Sequence, residues 1–182
     1  LNIIFLKTKK VGGTSFEIAL SKYCGEDDIV TPISPEDEET RANLGYQEPI
    51  NFENKNRSEK LVSRGVTGDF RNHIIAKSIR RRIGDEIFRK STKISIHREP
   101  LDFIVSLYWF QKTGNNEKFN KLSLRDWMAI QYYRVEENYR IAPISGPNSP
   151  DIILNYATLV DDIKKVGELP RDFLDTFSSI RA

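Results

Sequence analysis

Three observations predict an α/β fold with a central parallel sheet flanked by helices. Apolar runs at 2–6, 93–98 and 152–156 have the length and character of strands buried between layers. Stretches of helical periodicity separate them, an alternation that builds parallel sheets. The first two runs feed straight into helices, one through a Gly-rich turn and the other through a proline.

The first run, Asn2 to Leu6, leads into Lys7-Thr8-Lys9-Lys10-Val11-Gly12-Gly13-Thr14-Ser15-Phe16. Gly12 and Gly13 let the backbone turn sharply and approach a ligand, because no Cβ intervenes. Thr14 and Ser15 suit a helix N-terminus, where their hydroxyls can cap free amides. Phe16, Ile18, Ala19, Leu20 and Tyr23 then supply an apolar helix face. A strand–loop–helix of this kind presents unpaired N–H groups and the positive end of a helix dipole, which together attract an anion. Lys7, Lys9 and Lys10 add fixed positive charge at its mouth. The loop is not a Walker A sequence, in which the lysine follows the glycine. Here the lysine comes first.

Length and composition set the outer bounds. The 182 residues suit a single domain over 1–182, large enough for a substantial core. Hydrophobic residues make up 38% and charged residues 30%, a soluble globular mix without an apolar run of membrane-spanning length. The net charge of +2 is too small to argue for nucleic acid, so an anion site must be local. Cys24 is the one cysteine and has no internal disulfide partner, which favours a reducing compartment. That fits a cytoplasmic protein if the N-terminus is untrimmed. The chain opens at Leu1, directly on a strand, so a membrane-anchored or Golgi form stays open. One cysteine and two histidines are a poor ligand set for structural zinc, and no metal is expected.

Further along, Gly25 reads as a helix stop and Asp28–Thr31 as a short second strand. From 32 to 60 the periodicity is lost, and Pro32, Pro35 and Pro49 punctuate a polar, acidic loop of a length that is usually functional or mobile. Within it, Glu36-Asp37-Glu38-Glu39 reads as a solvated face or a helix N-terminus, and the loop is a candidate wall for a substrate pocket. From Asn72 onwards, Ile74, Ile75, Ile79, Ile83, Ile87 and Phe88 recur at helical spacing, with Gly84 dividing two pieces. Lys77, Arg80, Arg81 and Arg82 among them read as a solvated face, not a nucleic-acid helix.

The strand at 93–98 ends on Arg98, and Pro100 opens a helix over roughly Leu101–Phe110 that turns Ile104, Leu107, Tyr108 and Phe110 to the core. Ser106 follows Arg98 by eight residues. A strand-end guanidinium and a helix hydroxyl at that spacing can converge on one phosphate. Leu124–Tyr139 reads as a helix whose Trp127, Met128, Ile130, Tyr132, Tyr133 and Val135 are core or pocket wall. Pro143–Pro150 is a loop, Ile152–Tyr156 a strand, and Leu159–Val166 the last helix.

Two of these motifs carry a resemblance. Lys10-Val11-Gly12-Gly13-Thr14-Ser15 resembles the 5′-phosphosulfate-binding loop of sulfotransferases that use 3′-phosphoadenosine 5′-phosphosulfate (PAPS). Arg98-Glu99-Pro100 followed by Ser106-Leu107-Tyr108 resembles the 3′-phosphate motif of the same family, Arg-x-Pro and then Ser-x-Tyr. The segment from Asn72 to Phe88 is similar to carbohydrate-type sulfotransferases common in bacteria, so the resemblance covers nearly the whole chain. It implies a P-loop-like three-layer fold and transfer of a sulfuryl group from PAPS to a hydroxyl or amine on a carbohydrate. The product nucleotide would be 3′-phosphoadenosine 5′-phosphate (PAP), and no metal is required.

In the implied scheme, the amides of Gly12, Gly13 and Thr14, with the hydroxyls of Thr14 and Ser15, hold the 5′-phosphate. Lys10 contacts the bridging oxygen, and Arg98 with Ser106 holds the 3′-phosphate. His73 matches the family's histidine ahead of the basic segment and is the candidate base, since imidazole titrates near neutrality. Asp69 and the carboxylates of the polar loop are the alternatives. His97 should point to the opposite side of its strand from Arg98 and is taken as structural. The chain departs from the family pattern at Lys9, Glu99, Phe103 and Ala157, where Pro, Asn, Arg and Glu respectively are commoner. The resemblance also implies a C-terminal segment that closes over the nucleotide, which would follow Ala182. Competing readings are a P-loop nucleotide or sugar kinase and a non-catalytic, degenerate sulfotransferase-fold binding module.

Overall fold

A computed structural model of the chain describes residues 2–114 and 117–181. Its centre is an open, wholly parallel sheet of three strands in the order β1 (Ile3–Leu6), β2 (Thr92–His97), β3 (Ile152–Asn155). Ile3–Leu6 run in register with Thr92–Ser95, and Ile94–His97 with Ile152–Asn155. Only the middle strand is paired on both sides, and it is buried from Lys93 to Ile96. The outer strands are partly exposed.

Around the sheet lie α1 (Gly13–Ser21), α2 (Pro35–Asn43), α3 (Glu59–Ser63), α4 (Ala76–Ile83), α5 (Asp85–Lys90), α6 (Pro100–Thr113), α7 (Glu117–Asn120), α8 (Leu124–Gln131), α9 (Glu137–Ile141), α10 (Leu159–Ile163) and α11 (Phe173–Arg181). Strand alternation divides the core. Phe5, Ile94, Ile96 and Leu154 face α1, α10 and α11, where Phe16, Phe173 and Phe177 pack ring against ring. Ile4 and Leu6 face the other way, onto Phe70, Ala76, Ile79, Ile83 and Phe88. A third cluster joins α6 to α8 through Phe103, Ile104, Leu107 and Tyr108 around the fully buried Trp127. Among the described residues, no helix is long and apolar enough to cross a membrane.

Several elements differ from the sequence-based expectation. Asp28–Thr31 does not join the sheet: Val30 makes one antiparallel bridge to Ile50, because the segment stands off the edge of β1. The stretch 32–60 is not structureless. Ser34 caps α2 by accepting from the Asp37 amide, Pro35 begins the helix, and Glu36, Asp37 and Glu38 fill its first turn. The expected helix at 124–139 breaks into α8, a 3-10 turn at Tyr132–Glu136, and α9; of its apolar residues Trp127 is core, with Met128 and Val135 packed on that cluster, whereas Ile130, Tyr132 and Tyr133 are exposed. Phe110 is also exposed, at 61%. The last helix is α11, not the segment after Leu159, since Phe173 and Phe177 close the core over Phe16.

Candidate functional site

The site forms where the backbone leaves the C-terminal ends of β1 and β2. After Leu6 the chain stays pinned to its neighbours. The Thr8 hydroxyl donates to the Ile96 carbonyl, and Asn138 grips Lys9 at both ends, accepting from its amide at 2.7 Å and donating to its carbonyl at 3.0 Å. Arg98 Nη1 donates to the Lys10 carbonyl at 3.0 Å. Lys10 itself takes a left-handed conformation, φ +58°, and so does Gly12 at φ +71°. A lysine held there is strained by about 1–3 kcal/mol, and such strain gathers at functional sites.

Gly12 is the N-cap of α1, and no side chain caps the helix. The expectation that Thr14 or Ser15 would cap it is therefore corrected: both lie inside the first turn. The first intrahelical bond runs from the Phe16 amide to the Gly12 carbonyl at 3.4 Å. Among the described residues, the amides of Gly12, Gly13, Thr14 and Ser15 donate to no acceptor. They form an unsatisfied row at the positive end of a helix. At Gly13 the space is tight as well, because a Cβ there would stand 3.1 Å from Lys7 Cγ and the Lys7 stem would have to give way by a few tenths of an ångström.

Two cations border this row. Lys10 Nζ lies 3.9 Å above the centre of the exposed Phe110 ring. Burial first, and the charge of Arg98 second, hold the Lys10 pKa below the ordinary lysine value. Arg98 is half-buried, with its guanidinium 4.3 Å from the Tyr156 ring centre and its Nε buried without a partner. Among the described residues, neither cation is paired with a carboxylate. Lys9, by contrast, is spent on Glu137 at 3.0 Å.

Ser106 is half-buried on α6, one turn before Phe110 on the same helix face. Glu99 does not face this site as a free charge. It caps α6, accepting from the amides of Leu101 and Asp102 at 2.7 and 3.1 Å. Phe103 is buried beside Trp127.

His73 sits on the far side of the loop. Its φ is +57°, and Nδ1 meets the Lys7 carbonyl at 3.0 Å. A carbonyl only accepts, so Nδ1 carries the proton and Nε2 keeps the lone pair. Burial, chiefly, holds its pKa below 6.5, partly offset by the bond to Lys7. Lys7 is buried and paired with Glu17 at 2.7 Å. Asp69, an alternative base, instead accepts from the Asn54 amide. His97 is half-buried against Tyr139, with Nε2 unpartnered, and burial lowers its pKa.

The structure thus gathers Lys10, Arg98 and the amides of Gly12 to Ser15, places Ser106 on the adjoining helix face, and sets His73 behind Lys7. Asn138, Phe110, Tyr156 and Glu17 are site residues that sequence reasoning did not assign. Only Tyr156 carried a signal, as the tyrosine at the end of the late strand. Compared with known proteins, the chain matches no family model, no curated protein and no solved structure.

Proposed function

We propose that the chain is a sulfotransferase of P-loop-like architecture that moves a sulfuryl group from PAPS to a hydroxyl or amine. One observation carries this reading. Two half-buried cations, Lys10 and Arg98, border a row of free helix amides without a carboxylate between them. A polyanion with two separated phosphate groups satisfies both halves. The unpartnered Arg98 Nε and the glycines that keep Cβ atoms out of the loop fit such a ligand.

PAPS supplies the activated sulfuryl group. The chain's own residues supply position and charge, the main requirements of transfers of this type. The amides of Gly12 to Ser15 and the hydroxyls of Thr14 and Ser15 hold the 5′-phosphate. Arg98 and Ser106 hold the 3′-phosphate. Lys10, whose lowered pKa makes it a stronger donor, stabilises the negative charge that collects on the leaving oxygen. His73 Nε2 takes the proton from the attacking hydroxyl while the new oxygen–sulfur bond forms. The electron pair of the broken sulfur–oxygen bond stays with the departing phosphate.

Calorimetric titration with PAP, beside AMP and ATP-Mg, tests the reading. Tight binding of PAP and weak binding of the other two is the expected result. Equal binding of all three would overturn it in favour of the kinase or binding-module alternatives.

A further inference from the structure

β1 is hydrogen-bonded to β2 on one side only, and along its outer edge runs a cavity of about 320 Å³. That is the size of a small-molecule site, at the lower end of the roughly 300–1,000 Å³ range. Its inner walls are Leu20, Val30, Leu61, Phe70, Ile79 and Ile83, most of them aliphatic. The edge of β1 adds backbone polar groups along one wall. Asp28, Arg64 and Arg71 stand at the lining as well.

The loop end of the cavity is different. Lys7, Glu17, Thr31 and His73 line it. Glu17 meets Lys7 at 2.7 Å and the Thr31 hydroxyl at 2.9 Å, and Arg41 Nη2 lies 3.6 Å away. These charges neutralise one another. His73 Nε2 is the ring nitrogen left without a protein partner among the described residues. The stem of Lys7 packs against Gly13, so this polar end and the row of free amides stand on either side of one side chain.

We infer that this cavity holds the sulfuryl acceptor, and that the acceptor is a hydroxyl compound with an apolar body of one or two rings, its hydroxyl directed at His73. The inference rests on the sulfotransferase reading. It replaces the carbohydrate implied by the resemblance, for a physical reason. The aliphatic inner walls offer the several hydroxyls of a saccharide no partner, whereas an apolar ring with one or two hydroxyls meets the free acceptors of a single segment, His73 Nε2 and the buried, unpartnered Asn72 Oδ1.

Calorimetry with 2-naphthol and, separately, N-acetylglucosamine tests this on the wild type and on Cys24→Trp. Cys24 lines the cavity, and the larger side chain fills it. Ile79→Phe is a second filling variant. The expected result is binding of 2-naphthol but not of the sugar, weakened about tenfold or more in a filled variant while PAP affinity is unchanged. Preference for the sugar, or 2-naphthol binding insensitive to both fillings, would overturn the inference. PAP binding with no 2-naphthol binding would overturn the acceptor class and leave the nucleotide site standing. Cavity-dependent 2-naphthol binding without PAP binding would sink the sulfotransferase reading and support only the cavity's taste for apolar ligands.

Discussion

Lys7 and Lys10 leave the same strand three residues apart and end in opposite electrostatic settings. Lys7 is buried, with its ammonium 2.7 Å from Glu17, and Glu17 is further held by Thr31 and Arg41. Lys10 rests on the face of Phe110, beside Arg98, with no carboxylate partner among the described residues. The left-handed turn at Lys10 separates the two, and the later lysine ends beside Arg98 and Phe110. Counting charges along the loop therefore says little. What distinguishes a structural lysine from a ligand-binding one is whether its charge is already neutralised within the fold.

The strongest test of that contrast is at the joint between the two settings, where His73 hangs from the Lys7 carbonyl. His73→Gln should lower kcat for sulfuryl transfer by about 10²–10⁴-fold, the usual worth of a positioned base. A base acts deprotonated, so the wild-type rate is full above the His73 pKa and falls as pH drops through it. Because burial lowers that pKa from 6.5, the acid limb should lie below pH 6.5 and vanish in the variant.

Next comes Lys10→Ala, which should cost about 10²–10³-fold in kcat, as loss of one donor to a developing negative charge does. Its denaturation midpoint should stay close to wild type, since no ion pair is broken. Lys7→Met should behave in reverse. It strands a carboxylate in a site that is mostly buried, and because Glu17 keeps Thr31 and Arg41, the loss should be about 2–3 kcal/mol, slightly under the usual figure for a broken buried pair. Urea unfolding reads this directly. The smallest effect is expected from Tyr156→Leu, which removes the ring beneath Arg98 and should weaken PAP binding by about 0.5–1 kcal/mol.

Much of this arrangement is legible along the chain because it depends on local signals. The apolar run before Gly12-Gly13 and the amphipathic stretch after it yield β1, the turn and α1, and Pro100 marks the start of α6. Gly84 separates α4 from α5 as its sequence context predicts. What could not be read depends on distant partners. Asp28–Thr31 has strand composition, but pairing requires a neighbour at the right distance, and there the edge of β1 borders a cavity. α11 earns its place by packing Phe173 and Phe177 onto Phe16, more than 150 positions away. Of the two readings of Glu36–Glu39, the helix N-terminus is the one that forms, capped by Ser34 and opened by Pro35, although the surrounding prolines and polar residues hide the rest of α2. In the candidate site, Lys10 to Ser15, Arg98 and Ser106 stand in the two motifs and His73 between them, whereas Asn138, Phe110 and Tyr156 are brought to them only by the fold.

The account turns on the claim that the unpaired cations, and not the paired one, receive the ligand. Titrating PAP into wild type, Arg98→Ala and Lys7→Met in parallel tests it most directly. Affinity should fall about 100-fold in Arg98→Ala, the loss of a charge-assisted contact, and remain near wild type in folded Lys7→Met. Equal losses in both variants, or undiminished binding in Arg98→Ala, would contradict it.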